Sequence, residues 1–188
     1  MGSDENRSNT VYLSLGSNIA PEVNLPATVK LLAELTELLA VSSVWETRPV
    51  GFLAQANFLN AAAIVSTPLS APQFQEQVIR VIEQQRQRVR ERNKNGPRTI
   101  DLDIILFNRQ ILDLAHHHIP DPDLLQRPFV ALPLAEIAPD YQHPETGQTL
   151  RDIAKAFIVD EEEMQLRPDV SQALKAVSPS RPLSTIYY

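Results

Sequence analysis

The chain has 188 residues, 43% of them hydrophobic, with 17 Lys and Arg against 23 Asp and Glu for a formal net charge of -6. That length suits one domain with a real core and a tail, and the acidic balance argues against the broad basic surface a nucleic-acid partner needs. With no cysteine, disulfides, thiolate metal ligands and thiol nucleophiles are excluded, which fits a reducing compartment. The N-terminus MGSDENRSNT is polar and no apolar run approaches membrane-spanning length. A cytoplasmic protein with no membrane partner and a disordered segment at 1–9 is expected; oligomeric state is not legible.

In chain order, Thr10 to Leu15 alternates and predicts a first strand ending at Gly16-Ser17-Asn18. Leu31, Leu32, Leu35, Leu38 and Leu39 recur at helical spacing, with Asn24 as cap and Pro26 in the first turn. Val41 to Thr47 reads as a second strand and, after the loop Arg48 to Ala56, Phe58 to Val65 as a third. Ser70 and Gln73 form a capping box that opens a helix with the stripe Phe74, Val78, Val81, Ile82 and Val89. On an ideal helix Arg88 falls about 20° from Val81, at the border of that stripe. It either snorkels or reaches over the sheet toward a buried anion. The basic residues Arg80, Arg86, Arg88, Arg90, Arg92, Lys94 and Arg98 cluster here against only Glu83 and Glu91. In an acidic chain this concentration suggests a small, highly charged anionic ligand, and it also fits a solvated helix face. The segment Glu91 to Asn95 predicts a mobile loop.

Gly96-Pro97-Arg98-Thr99-Ile100-Asp101-Leu102-Asp103-Ile104-Ile105-Leu106-Phe107 carries the most chemistry. Gly-Pro punctuates the chain and the apolar run after it predicts a buried strand. Thr99, Asp101 and Asp103 then point one way, and Ile100, Leu102 and Ile104 the other. Two carboxylates about 7 Å apart on one strand face repel each other unless a cation sits between them. Magnesium suits such an oxygen-only pair and takes its remaining ligands from water and phosphates. Arg98 adds a planar donor fork matched to phosphate oxygens.

The order strand, helix, strand, strand, helix, strand is the split β-α-β pattern. The expected class is α+β: a ferredoxin-like antiparallel sheet with helices packed on one face, the other left to a ligand, and an extra hairpin at Asp140 to Thr149. The main unit is placed at 10–158, and 159–188 reads as a weakly ordered tail.

Four segments, in this order, resemble the 6-hydroxymethyl-7,8-dihydropterin pyrophosphokinase family of folate biosynthesis: Leu15 to Asn18, Phe58 to Ala62, Gly96 to Ile105 and Arg127 to Pro139. The resemblance covers roughly Val11 to Phe157. It implies magnesium-dependent transfer of pyrophosphate from ATP to the pterin hydroxymethyl group, releasing AMP. It further implies that Asp101 and Asp103 hold two magnesium ions and that Arg88 and Arg98 contact the phosphates and act in catalysis. Glu83 and Arg127 are implied to line the ATP site, Ile104 to offer it backbone contacts, and Thr47, Val50, Phe58, Asn60 and Phe129 to form the pterin pocket. A flat heterocycle rich in donors and acceptors wants aromatic faces and an amide at its edge, which Phe58, Phe129 and Asn60 can supply.

The chain departs from the family at Ile119-Pro120-Asp121-Pro122-Asp123, where a His-Pro or His-Tyr pair is common, and at Asn95, where some relatives carry tryptophan. Asp121 adds negative charge where a phosphate donor is expected. By register His116 or His118 could restore that donor to ATP. The run His116-His117-His118 does not converge on one metal ion if extended. Two rival readings stay open: a two-metal nucleic-acid enzyme, and a pterin- or nucleotide-binding module without turnover.

Overall fold

The computed structural model describes residues 8–87, 96–114 and 117–178. Strand β1 (Asn9–Ser17) lengthens the predicted one at both ends. Helix α1 (Pro21–Leu35) begins ahead of Asn24, because Pro21 takes the first helical position, where a missing N–H costs nothing. Asn24 donates its Nδ2 to the Ile19 carbonyl (2.6 Å) instead of capping, and Pro26 sits inside the helix. The helix stops before Leu38 and Leu39, with the Thr36 N–H and hydroxyl both donating to the Leu32 carbonyl. The predicted second strand is two, β2 (Glu37–Val41) and β3 (Trp45–Thr47), both paired with β4 (Phe58–Thr67). Between them the Ser42 hydroxyl accepts from the Ala62 N–H (2.8 Å), filling the interrupted ladder.

The next helical segment runs through α2 (Ala71–Phe74), a π turn (Gln75–Ile79) and α3 (Arg80–Gln85). Gln73 Oε1 accepts from the Ser70 N–H (3.0 Å), as the capping box predicts. The π turn shifts the helical face, so Ile79 joins Phe74, Val78 and Ile82 in the core while Val81 is only half-buried. Arg88, Val89 and the loop expected at 91–95 lie outside the described residues, as does His116.

Strand β5 (Asp101–Phe107) follows, then a hairpin of β6 (Leu112–Leu114) and β7 (His117–Ile119). After α4 (Asp123–Gln126), α5 (Pro128–Ile137) and α6 (Leu150–Lys155) come β8 (Met164–Leu166) and α7 (Pro168–Val177). The antiparallel sheet runs β5-β1-β4-β3-β8, with β2 also on β4. This is the expected α+β architecture, and the split β-α-β connectivity accounts for β1 lying between β4 and β5.

Three expectations change. Helices cover both faces of the sheet. Leu25, Phe74, Ile82 and Leu174 pack on Leu13, Leu15 and Leu102 on one face, while Val130, Leu134 and Ile153 pack on Tyr12, Ile64 and Leu106 on part of the other. The hairpin predicted at Asp140 to Thr149 is a turn closed by one bridge, Gln142 to Thr149, and the added hairpin is β6–β7. Within the predicted tail, β8 pairs with β3, and α7 buries Val170 and Leu174 against the α1 face. That helix is short and flanked by Pro and Ser, so docking, which the sequence period does not report, stabilises it. Among the described residues no helix is long and apolar enough to cross a membrane.

Candidate functional site

On the second sheet face the strands change character along their length. Tyr12, Ala62, Ile64 and Leu106 lie under α5 and α6, whereas Ser14 and Gly16 of β1, Phe58 and Asn60 of β4, and Asp101 and Asp103 of β5 line an open cavity of about 200 Å³. Antiparallel register brings them together: Gly16 pairs with both Asn60 and Asp101, and Ser14 with Asp103. Alternation keeps Leu102 and Ile104 in the opposite core and places Ile105 on the cavity wall with Asp101 and Asp103, and a bulge after Ile104 then turns Leu106 to the same side. Thr47, Arg48, Val50, Arg98, Asp121, Asp123, Arg127, Phe129 and Val130 complete the lining.

At one end, Asn60 donates Nδ2 to the Thr47 hydroxyl (2.8 Å), and both side chains are buried. This fixes the amide at the cavity edge between the half-buried rings of Phe58 and Phe129. Gly16 gives the amide room: a Cβ there would stand 3.2 Å from Asn60 Oδ1, a tight approach that the amide would have to yield to. Asn18 holds the approach to β5. It accepts from the Arg98 N–H (2.8 Å), donates its own N–H back to the Arg98 carbonyl (3.1 Å), and gives Nδ2 to Gln55 Oε1 and the Ala56 carbonyl. Ser17 adds a 2.6 Å bond to the Thr99 carbonyl. The Arg98 guanidinium lies 5.7 Å from the Phe58 ring centre and pairs with Asp101. It therefore stands between the aromatic end and the carboxylate pair.

The other end is assembled after β7. Asp121 joins its N–H to the Ile105 carbonyl (2.9 Å), and one carboxylate oxygen accepts from the Asp123 N–H (2.8 Å). Its other oxygen lies 3.4 Å from His117 Nδ1, whose Nε2 donates to the Ile104 carbonyl (2.7 Å). Burial pushes the Asp121 carboxyl above its ordinary range, against the Asp123 N–H and His117, which pull it down. Arg127, at the N-cap of α5, lies 3.6 Å from Asp123.

Of the residues expected from sequence, Asp101, Asp103, Arg98, Arg127, Thr47, Val50, Phe58, Asn60 and Phe129 meet in this cavity. Glu83 is buried on α3 and does not line it. The Ile104 side chain is in the opposite core and its carbonyl receives His117. His118 lies outside the lining, its ring nitrogens 2.7 Å from Asp113 and 2.9 Å from Glu145, and the bond to Asp113 foremost raises its pKa. Arg88 and His116 lie outside the described residues. The expected site had not included Ser14, Gly16, Arg48, Ile105 or Asp123. Alternation marks Ser14 and Gly16 on β1 and Ile105 on β5, whereas Arg48 lies in a connection and Asp123 opens the four-residue α4, with no period to read.

Among the described residues four lining carboxylates, Asp101, Asp103, Asp121 and Asp123, face three arginines, Arg48, Arg98 and Arg127. No group of three or more His, Cys, Asp or Glu poised for a metal occurs among them. An oxygen-only pair on one strand face is nonetheless the donor set magnesium uses with phosphates completing its shell.

Residues 12–139 match the model of the 7,8-dihydro-6-hydroxymethylpterin-pyrophosphokinase family. The 2-amino-4-hydroxy-6-hydroxymethyldihydropteridine pyrophosphokinase of Pseudomonas aeruginosa is 39% identical over 149 residues, covering 78% of this chain and 90% of that protein. Its counterpart in Bacillus subtilis is 40% identical over 142 residues, 74% of this chain and 84% of that one. A Plasmodium falciparum HPPK-DHPS crystal structure with pteroate superposes with a TM-score of 0.67 at 16% identity, covering 87% of this chain. This chain spans about half the length of that structure, 47%, and the likeness shows the fold.

Proposed function

Because the chain belongs to the 7,8-dihydro-6-hydroxymethylpterin-pyrophosphokinase family, we propose that its cavity transfers pyrophosphate from ATP to the hydroxymethyl group of 6-hydroxymethyl-7,8-dihydropterin. The observation that carries this reading is the single cavity in which an amide-and-aromatic end meets a carboxylate-and-arginine end. Thr47, Val50, Phe58, Asn60 and Phe129 take the pterin, with the Asn60 amide at its edge and the two rings along its faces. Asp101 and Asp103 hold magnesium, two ions being the number the family resemblance implies. When bound it neutralises phosphate charge and aligns the reacting oxygens.

The pterin oxygen forms a bond to the β-phosphorus of ATP while the bond from that phosphorus to the bridging α,β-oxygen breaks, and AMP leaves with that oxygen. The hydroxymethyl proton passes to solvent, and no side chain is assigned as its base. Arg98 spans the two ends of the cavity and is placed to follow the transferring charge, with Arg127 beside the nucleotide. Arg88 belongs to the same proposal from its place in the sequence. Glu83, Ile104 and His118 stand outside the lining, so their part in ATP binding is indirect: Ile104 anchors His117, which faces Asp121. The catalytic unit reaches past residue 158, since β8 extends the sheet that carries Thr47.

The test is AMP release. AMP should appear from ATP only when magnesium and the dihydropterin are both present, and its absence at saturating substrates would refute turnover.

A further inference from the structure

The segment 159–178 lies beyond residues 12–139 that match the family, yet it is tied into the strand ends that carry the pterin pocket. The Arg167 N–H donates to the Val44 carbonyl (2.8 Å), and the Val44 N–H donates to the Ser171 hydroxyl (2.8 Å), which itself donates to the Arg167 carbonyl (2.7 Å). Val44 is wholly buried, so the N-terminal turn of α7 satisfies backbone groups that the break between β2 and β3 leaves open. From that anchor the Arg167 side chain reaches Glu46. Its Nη1 donates to Glu46 Oε2 (2.9 Å), while Nε and Nη2 grip Asp169 at 3.1 and 2.9 Å and Glu22 lies 3.5 Å away. The other Glu46 oxygen accepts from Asn57 Nδ2 (3.0 Å).

Glu46 directly precedes Thr47, and Asn57 directly precedes Phe58. Thr47 and Phe58 are register partners on β3 and β4, and both line the cavity. The connection between them, residues 48–57, brings Arg48 and Val50 to the lining. By strand alternation Glu46 faces away from the cavity, so nothing in this chain of contacts touches substrate. We propose that Arg167 is a positioning residue: through Glu46 and Asn57 it clamps the two stems of the 48–57 connection from behind the sheet and so sets the pterin pocket. The inference rests on the assignment of that end of the cavity to the pterin.

Arg167→Ala should raise KM for the dihydropterin about fivefold, the scale of one partly buried charge-assisted contact, and leave kcat and KM for ATP within about twofold. Arg167→Lys, which keeps the charge and can reach one carboxylate, should recover part of the loss. Asn57→Ala breaks the same link without touching α7 and should match Arg167→Ala. The double variant should be no worse than either single one, because both act through Glu46. Dihydropterin affinity, followed by titration in the presence of a non-hydrolysable ATP analogue and magnesium, should move in parallel with KM. Additive losses, or equal losses in ATP and pterin parameters, would show mere loosening of the fold and overturn the proposal. Should Arg167→Ala not fold, Asn57→Ala with wild-type pterin affinity overturns it alone. Wild-type protein that binds no dihydropterin would instead remove the site assignment on which the inference rests.

Discussion

At the end of the cavity proposed for the pterin, Thr47, Phe58 and Asn60 stand on paired strands, fixed by register, by a buried amide-to-hydroxyl bond and by a glycine that leaves room for the amide. At the end proposed for the nucleotide, Asp121, Asp123 and Arg127 come from the segment between β7 and α5. There, backbone contacts to the β5 edge and looser polar contacts, His117 to Asp121 at 3.4 Å and Arg127 to Asp123 at 3.6 Å, set the geometry. Strand register locks side chains in place whether or not a ligand is bound. An arrangement of Asp, His and Arg depends instead on the balance of its own charges, which a bound phosphate would change. The end proposed for the pterin is thus set by packing and register and the end proposed for the nucleotide by charge balance, with Arg98 between them.

The largest expected effect strikes the junction of the two ends. Asp103→Ala should lower kcat by about a thousandfold or more, the scale of losing electrostatic stabilisation of the transferring charge, with dihydropterin affinity within about threefold. Single-turnover rates and equilibrium titration would separate the two, and a near-normal rate would remove Asp103 from the metal site. Arg98→Ala should lower kcat by about a hundredfold. It should also weaken pterin binding modestly, since its guanidinium lies over Phe58; an effect on only one parameter would show that the residue serves one end.

Smaller effects sharpen the contrast. Asn60→Ala leaves the buried Thr47 hydroxyl without its donor and should cost about 1–2 kcal/mol in denaturant unfolding, with a larger loss of pterin than of ATP affinity. Asp121→His replaces a half-buried carboxylate with a donor, so ATP affinity should rise severalfold in calorimetric titration. Unchanged affinity would mean that Asp121 does not face the phosphates. The smallest effect is at His118, whose pKa is raised by Asp113 and then Glu145. Its contribution to the β6–β7 hairpin is complete below the ordinary histidine pKa of about 6.5 and fades as pH rises through the raised value. Amide exchange in that hairpin should quicken across this window, and His118→Gln should flatten the dependence.

How far the sequence disclosed this arrangement follows the same divide. Alternation in Gly96 to Phe107 correctly placed Asp101 and Asp103 on one face, because a period of two holds along an unbroken stretch of strand. It could not show the bulge that turns Leu106 to the same side as Ile105, since that depends on the partner strand. Leu38 and Leu39 continued a helical period but form β2, where pairing with β4 overrides local spacing. The π turn exchanged Ile79 for Val81 in the core for a similar reason. The tail was the largest omission. The bonds joining Arg167 and Ser171 to Val44 span more than a hundred residues, and nothing in the composition of 159–178 reports them.

The most direct measurement is phosphorus NMR of the wild-type protein with ATP, magnesium and 6-hydroxymethyl-7,8-dihydropterin. The account predicts equal amounts of AMP and a pterin diphosphate ester, neither appearing when magnesium or the pterin is omitted. Formation of ADP with a pterin monophosphate, or of free phosphate with the pterin unchanged, would contradict it.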